Sequence, residues 1–157
     1  FTIVELLLAL AITGLLLAAI AIAFNASIIN YQENENIFEI INNARGTILR
    51  ITTQLRTANA VDPNSPDNEC SLITANGDDI TYRYDSSNNK LYLITNDDLS
   101  DSDYVLCDNV TAMVFKKDTA VKDGITYVKS VQISITIAID GIERKISSAA
   151  VIRKNLQ

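Results

Sequence analysis

Residues 1–24 read FTIVELLLALAITGLLLAAIAIAF, and Glu5 is the only ionisable side chain among them. Thr2 and Thr13 are the only other polar side chains in that stretch. About 20 consecutive apolar residues carry a helix through the hydrocarbon core of a bilayer, so the segment is long enough to span one. Beyond residue 24 the chain turns polar but keeps a helical rhythm. Ile37, Ile41, Ala44, Ile48, Ile51, Leu55 and Ala58 advance by steps of four and three, which places them on one stripe. The first proline is Pro63, and the first half is rich in Leu and Ala, so one helix over residues 1–58 is expected. At ~1.5 Å per residue that helix is ~85 Å long, more than a small domain can cover. Its first half therefore requires apolar partners outside its own head. Gly14 and Gly46 are its weak points, each costing about 1 kcal/mol relative to Ala.

Residues 61–68, VDPNSPDN, hold both prolines and several turn formers, and the helix is expected to have ended before them. From Cys70 the rhythm is that of strands. Residues 71–75, 80–84 and 90–95 are short β-prone runs separated by turn chemistry, the last two forming a hairpin. Residues 110–116 are a further strand, followed by a turn at Lys122-Asp123-Gly124. In residues 131–139, Val131, Ile133, Ile135, Ile137 and Ile139 alternate with smaller or polar residues, so the large side chains share one face. Asp140-Gly141 then matches a two-residue type I′ loop, with residues 142–152 returning antiparallel. The expected fold is α+β: a long N-terminal helix whose second half covers one face of an antiparallel sheet of about five or six strands. The corresponding division is a helix over 1–58, with 1–24 apolar and 25–58 amphipathic, and a β-rich head over 59–157.

A formal charge of −6 and the absence of His argue against duplex nucleic-acid binding and against His-based acid–base chemistry. No Ser-His, Cys-His or paired-carboxylate arrangement is legible, so no enzyme is expected. Asp97, Asp98, Asp101 and Asp103 supply oxygen donors of the type Ca²⁺ takes, but the EF-hand order is absent and a solvated acidic turn is the favoured reading. No metal and no other cofactor is expected. Lys116, Lys117, Lys122 and Lys129 span a turn in an acidic head and read as a solvated edge. Phe24, Tyr31 and Phe38 recur every seven residues, an aromatic line suited to packing between helices. Cys70 and Cys107 are the only cysteines; an even count in an exported domain suggests one disulfide, the alternative being two buried thiols.

Glu5 needs a partner, because an ionised carboxylate in hydrocarbon costs several kcal/mol unless paired or protonated. The nearest cation is the Phe1 α-amino group, in the same helix or in an axially shifted copy, where the pair would set the stagger. Phe1-Thr2-Ile3-Val4-Glu5-Leu6-Leu7 ahead of an apolar helix resembles the processed N-terminus of type IV pilins and pseudopilins. The resemblance covers about the first 25 residues. It implies leader cleavage, N-methylation of Phe1, storage in the inner membrane and extraction by assembly machinery into an extracellular filament of like copies and other pilins. Residues 50–58 and 152–156 are similar to minor pilins of the PilW type and to J-type pseudopilins. Many major pilins have Pro at position 22, which helps the helix melt on assembly near the position of Gly14; Ile22 stands here, a departure that counts against such melting. The expected function is a structural filament subunit. Two alternatives are a minor pilin or pseudopilin that primes a pilus or secretion system, and a membrane-tethered monomeric binding module.

Overall fold

The computed structural model describes residues 2–96, 104–139 and 141–156. A single α-helix, α1, spans Ile3–Thr57 without interruption at Gly14 or Gly46. The chain falls into two units, Phe1–Glu39 and Ile40–Gln157. The first is helical throughout its described length apart from Thr2, and its described apolar side chains are exposed except for half-buried Ile37.

Among the described residues the second unit contains the rest of α1, eight strands and a closing 3-10 turn at Arg153–Leu156. The strands are β1 (Ala60–Val61), β2 (Glu69–Ile73), β3 (Asp79–Asp85), β4 (Lys90–Thr95), β5 (Tyr104–Cys107), β6 (Val110–Lys122), β7 (Ile125–Ile139) and β8 (Ile142–Val151). They form two antiparallel sheets in chain order, β1-β2-β3-β4-β5 and β6-β7-β8. The α+β arrangement read from the sequence holds, but one sheet of five or six strands is replaced by two sheets with eight. β1 has only two residues, and β5 follows the acidic run, so neither produces a readable alternation. β6 and β7 also continue past the expected ends to a tip at Asp123-Gly124. Positive φ at both tip residues, 54° and 79°, makes this a type I′ turn between paired Lys122 and Ile125. Residues 118–122 escaped notice because most of them are exposed and apolar burial does not alternate there. The second type I′ site is supported by the Ile139↔Ile142 pairing and by Gly141 at φ 80°, while Asp140 lies outside the described residues.

The alternating run in β7 sets the core of the smaller sheet: Val131, Ile133, Ile135 and Ile137 are at most 1% exposed. Helix α1 contributes Ala44, Ile48, Ile51 and Leu55 from the stripe, with Thr47 and Thr52 beside them. Burying each Ile or Leu of this set stabilises the fold by about 1.5–3 kcal/mol. Three polar links fix the angle of the helix on the sheets. Thr47 Oγ1 donates to the Leu106 carbonyl at 3.1 Å, Thr52 Oγ1 donates to Ser148 Oγ at 3.2 Å, and the Tyr82 hydroxyl donates to Gln54 Oε1.

The expected disulfide is absent: Cys70 and Cys107 are free thiols, both buried. Cys70 lies in β2 and Cys107 ends β5, with β3 and β4 between them. Three inter-strand steps of ~4.8 Å separate them by ~14 Å, whereas a disulfide needs Cα atoms about 4.4–6.8 Å apart. An even count was compatible with either arrangement, and the alternative of two buried thiols is the one the fold adopts.

Candidate functional site

The apolar segment of α1 has no partner within its unit. No residue of its most apolar window is buried, and Ile3, Leu10, Leu15 and Ile22 are each about 70–80% exposed. Apolar area of this extent stays out of water only when a bilayer or other protein covers it. Phe24, Tyr31 and Phe38 continue the exposure at 68%, 69% and 66%, so the aromatic line is available to partners rather than spent in the chain's own core.

Glu5 sits in the first turn, where a carboxylate is favoured by the positive end of the helix dipole. Its Oε2 accepts the Thr2 N–H at 2.8 Å, and its own N–H donates to Thr2 Oγ1 at 3.3 Å. That reciprocal pair is a capping box, with Thr2 as the N-cap and Glu5 three positions on. Two backbone donors that a helix start leaves unpaired are thereby satisfied within the chain. Thr2 was missed as a functional residue. The pattern Thr-x-x-Glu before an apolar run was present and sufficient to find it. Phe1, expected to supply the pairing amine and to be the methylation site, lies outside the described residues, as do Asp97, Asp98, Asp101 and Asp103. Gly14 is helical, and nothing lies within 4 Å of where a Cβ would stand, so intramolecular packing does not require glycine there.

The two thiols are chemically quiet. Burial pushes Cys70 up to about 12, overcoming the opposing pull of the Lys117 ammonium, and Asp62 adds to the rise. Burial pushes Cys107 up to about 11, with Asp108 contributing. A thiol reacts as its thiolate, so neither is poised as a nucleophile.

Lys117 is not part of the solvated edge expected of Lys116, Lys117, Lys122 and Lys129. Its ammonium donates to the carbonyls of Ser65 at 2.7 Å, Glu69 at 3.1 Å and Pro66 at 3.2 Å, using all three N–H groups on the proline-bearing loop and the first residue of β2. No family model, curated protein or solved structure matches this chain.

Proposed function

We propose that this chain is the structural subunit of a type IV pilus-like filament, assembled through residues 1–24. The observation that carries the reading is the uniformly exposed apolar helix with one carboxylate, Glu5, held in its first turn by Thr2. Each Leu or Ile moved from water to an apolar setting gains about 1.5–3 kcal/mol, so a bilayer stores the subunit and neighbouring helices hold it after extraction. Apolar contact alone does not select one stagger between neighbours. A carboxylate does, because Oε2 is occupied by Thr2 while the remaining acceptor capacity can take the Phe1 amine of an axially shifted neighbour, which any other stagger would leave out of reach. Assembly then neutralises the charge that hydrocarbon disfavours. The head displays its acidic surface outside, and the subunit passes from the inner membrane to an extracellular filament.

The decisive experiment compares Glu5→Gln and Glu5→Lys with the wild type in sheared surface filaments viewed by electron microscopy. Gln at the third helical position retains the cap, so Glu5→Gln isolates the charge. Both variants should remain in the membrane with folded heads and yield few or no filaments. Wild-type filament numbers from either variant would remove the pairing mechanism. A wild-type chain that stays in the membrane and never enters a filament would instead favour a tethered binding module. Imaging whether the chain forms the whole shaft separates a major subunit from a minor or priming one.

A further inference from the structure

The strand edges among the described residues are treated unequally. β1 and β5, which end the larger sheet, have two and four residues. β6 is stapled along its outer side, where the Phe115 N–H donates to the Asp67 carbonyl at 2.7 Å and the Thr111 carbonyl accepts the Tyr84 hydroxyl at 2.8 Å. β8 ends the smaller sheet with ten residues and pairs only with β7, in an unbroken register from Ser130↔Val151 to Ile139↔Ile142.

The direction of its backbone groups follows from that ladder. The Ile152 N–H donates to the Lys129 carbonyl at 2.9 Å, continuing the β7 pairing by one residue. Groups alternate along an antiparallel strand, so even-numbered residues face β7 while Glu143, Lys145, Ser147, Ala149 and Val151 turn N–H and C=O outward. Among the described residues these outward groups form no hydrogen bond within the chain. Protected edges carry a proline, a bulge or dispersed charges. In β8 the charges are confined to Glu143, Arg144 and Lys145, and the stretch 146–151 has none of these devices.

We propose that β8 is a self-pairing edge through which two copies of this chain join antiparallel, merging two three-stranded sheets into one of six strands. Charge selects the register. Centring the pair on Ser148 sets Ser147 opposite Ala149 and Lys145 opposite Val151, and places Glu143 beside Arg153 of the second copy, twice by symmetry. Centring on Ala149 instead opposes Lys145 to Arg153 and Arg144 to Lys154, which repel. Centring on Ser147 leaves Glu143 opposite Val151 and loses the attraction. The favoured register forms about eight ladder hydrogen bonds, two for each facing pair and its symmetry mate. So narrow a strip makes a weak contact that becomes effective in arrays. Its two-fold axis cannot relate subunits within one polar filament, so it joins separate filaments or unassembled subunits.

The test uses the full chain in detergent, with Ser147→Cys and Ala149→Cys introduced together on exposed positions. The native thiols are buried and do not compete. Mild oxidation should give a disulfide-linked dimer, and sedimentation of the wild type should show concentration-dependent dimerisation. Ala149→Pro removes an outward N–H and spares the β7 ladder, so it should weaken dimerisation about tenfold or more with an unchanged circular dichroism spectrum. Glu143→Arg should also weaken it, and adding Arg153→Glu should restore it, a readout that holds even if the proline variant folds poorly. A monomeric wild type, a dimer that survives both Ala149→Pro and Glu143→Arg, or retention of extended peptides by a chain that never self-pairs would each overturn the proposal.

Discussion

Thr2 and Glu5 cap each other: the carboxylate accepts the Thr2 N–H at 2.8 Å, and the Thr2 hydroxyl accepts the Glu5 N–H at 3.3 Å. Glu5 therefore has two separable duties, a cap that every residue of its hydrogen-bonding type can perform and a charge that only a carboxylate carries. Thr2→Ala should loosen the first turn by about 1 kcal/mol, the usual cost of a lost N-cap. Hydrogen exchange of the Ile3–Leu6 amides in micelles should quicken in Thr2→Ala and stay near wild type in Glu5→Gln. Equal protection in both variants and the wild type would mean that the cap is not formed in solution.

The buried thiols make a redox prediction. Reductant should leave the thermal midpoint of the head unchanged, because no bridge exists to break. A thiol reagent should find almost nothing in the folded chain and both groups after denaturation. Non-reducing peptide mapping that recovers a Cys70–Cys107 linked fragment would contradict this. Cys70→Ala should cost about 1–2 kcal/mol through lost packing, without the larger loss expected of a broken disulfide.

Much of the fold was legible because two periodicities are written plainly. The steps of four and three through Ala44, Ile48, Ile51 and Leu55 became the buried face of α1, and the alternation of Val131 to Ile139 became the core face of β7. Helix and strand patterns of this strength need no tertiary information. The features that escaped all depend on it. β1 exists because Asn59 donates its N–H to the Ile73 carbonyl and Ala60 and Val61 lie beside β2, not because two residues prefer to be a strand. The separation of Cys70 from Cys107 depends on strand order, which spacing along the chain does not specify. At the candidate site the apolar helix and Glu5 are legible from composition, whereas the role of Thr2 is legible only through the spacing Thr-x-x-Glu and takes effect only once the first helical turn places the two side chains together.

Alkaline conditions should weaken the head. A thiol or phenol whose folded-state pKa is raised keeps its proton in the native state after the unfolded chain has lost it, so stability falls as pH rises through the unfolded value. For Cys70 that decline begins near its ordinary 9.0 and extends towards about 12. Burial likewise pushes Tyr82 from 10.0 up to about 12, against the attraction of Arg50, and extends the loss into the same range. Urea midpoints measured between pH 8 and roughly 10.5 should decrease, and the slope should flatten in Cys70→Ala. A flat profile in the wild type would show that these groups ionise as readily folded as unfolded.

Lys117 provides the sharpest test of how the two sheets are joined. Residues 62–68, between β1 and β2, carry both prolines, and the carbonyls of Ser65, Asp67 and Asn68 take their donors from outside the loop. Lys117, from β6 of the smaller sheet, supplies three, and the Phe115 N–H supplies another to Asp67. The loop leads directly into β2, so the ammonium ties the entry of the larger sheet to the smaller one. Charge-assisted bonds contribute more than neutral ones, but water reaches part of this site. Lys117→Met, which keeps the stem and removes the donors, should therefore destabilise the head by about 1.5–3 kcal/mol. Lys117→Arg should recover only part of that, since a planar guanidinium cannot direct three bonds to a pyramidal set of carbonyls. Denaturant midpoints give the magnitudes, and amide shifts in residues 62–69 report whether the loop has moved. A Met variant as stable as the wild type, with those shifts unchanged, would show that the loop is held by Phe115 and its neighbours and that the ammonium is dispensable.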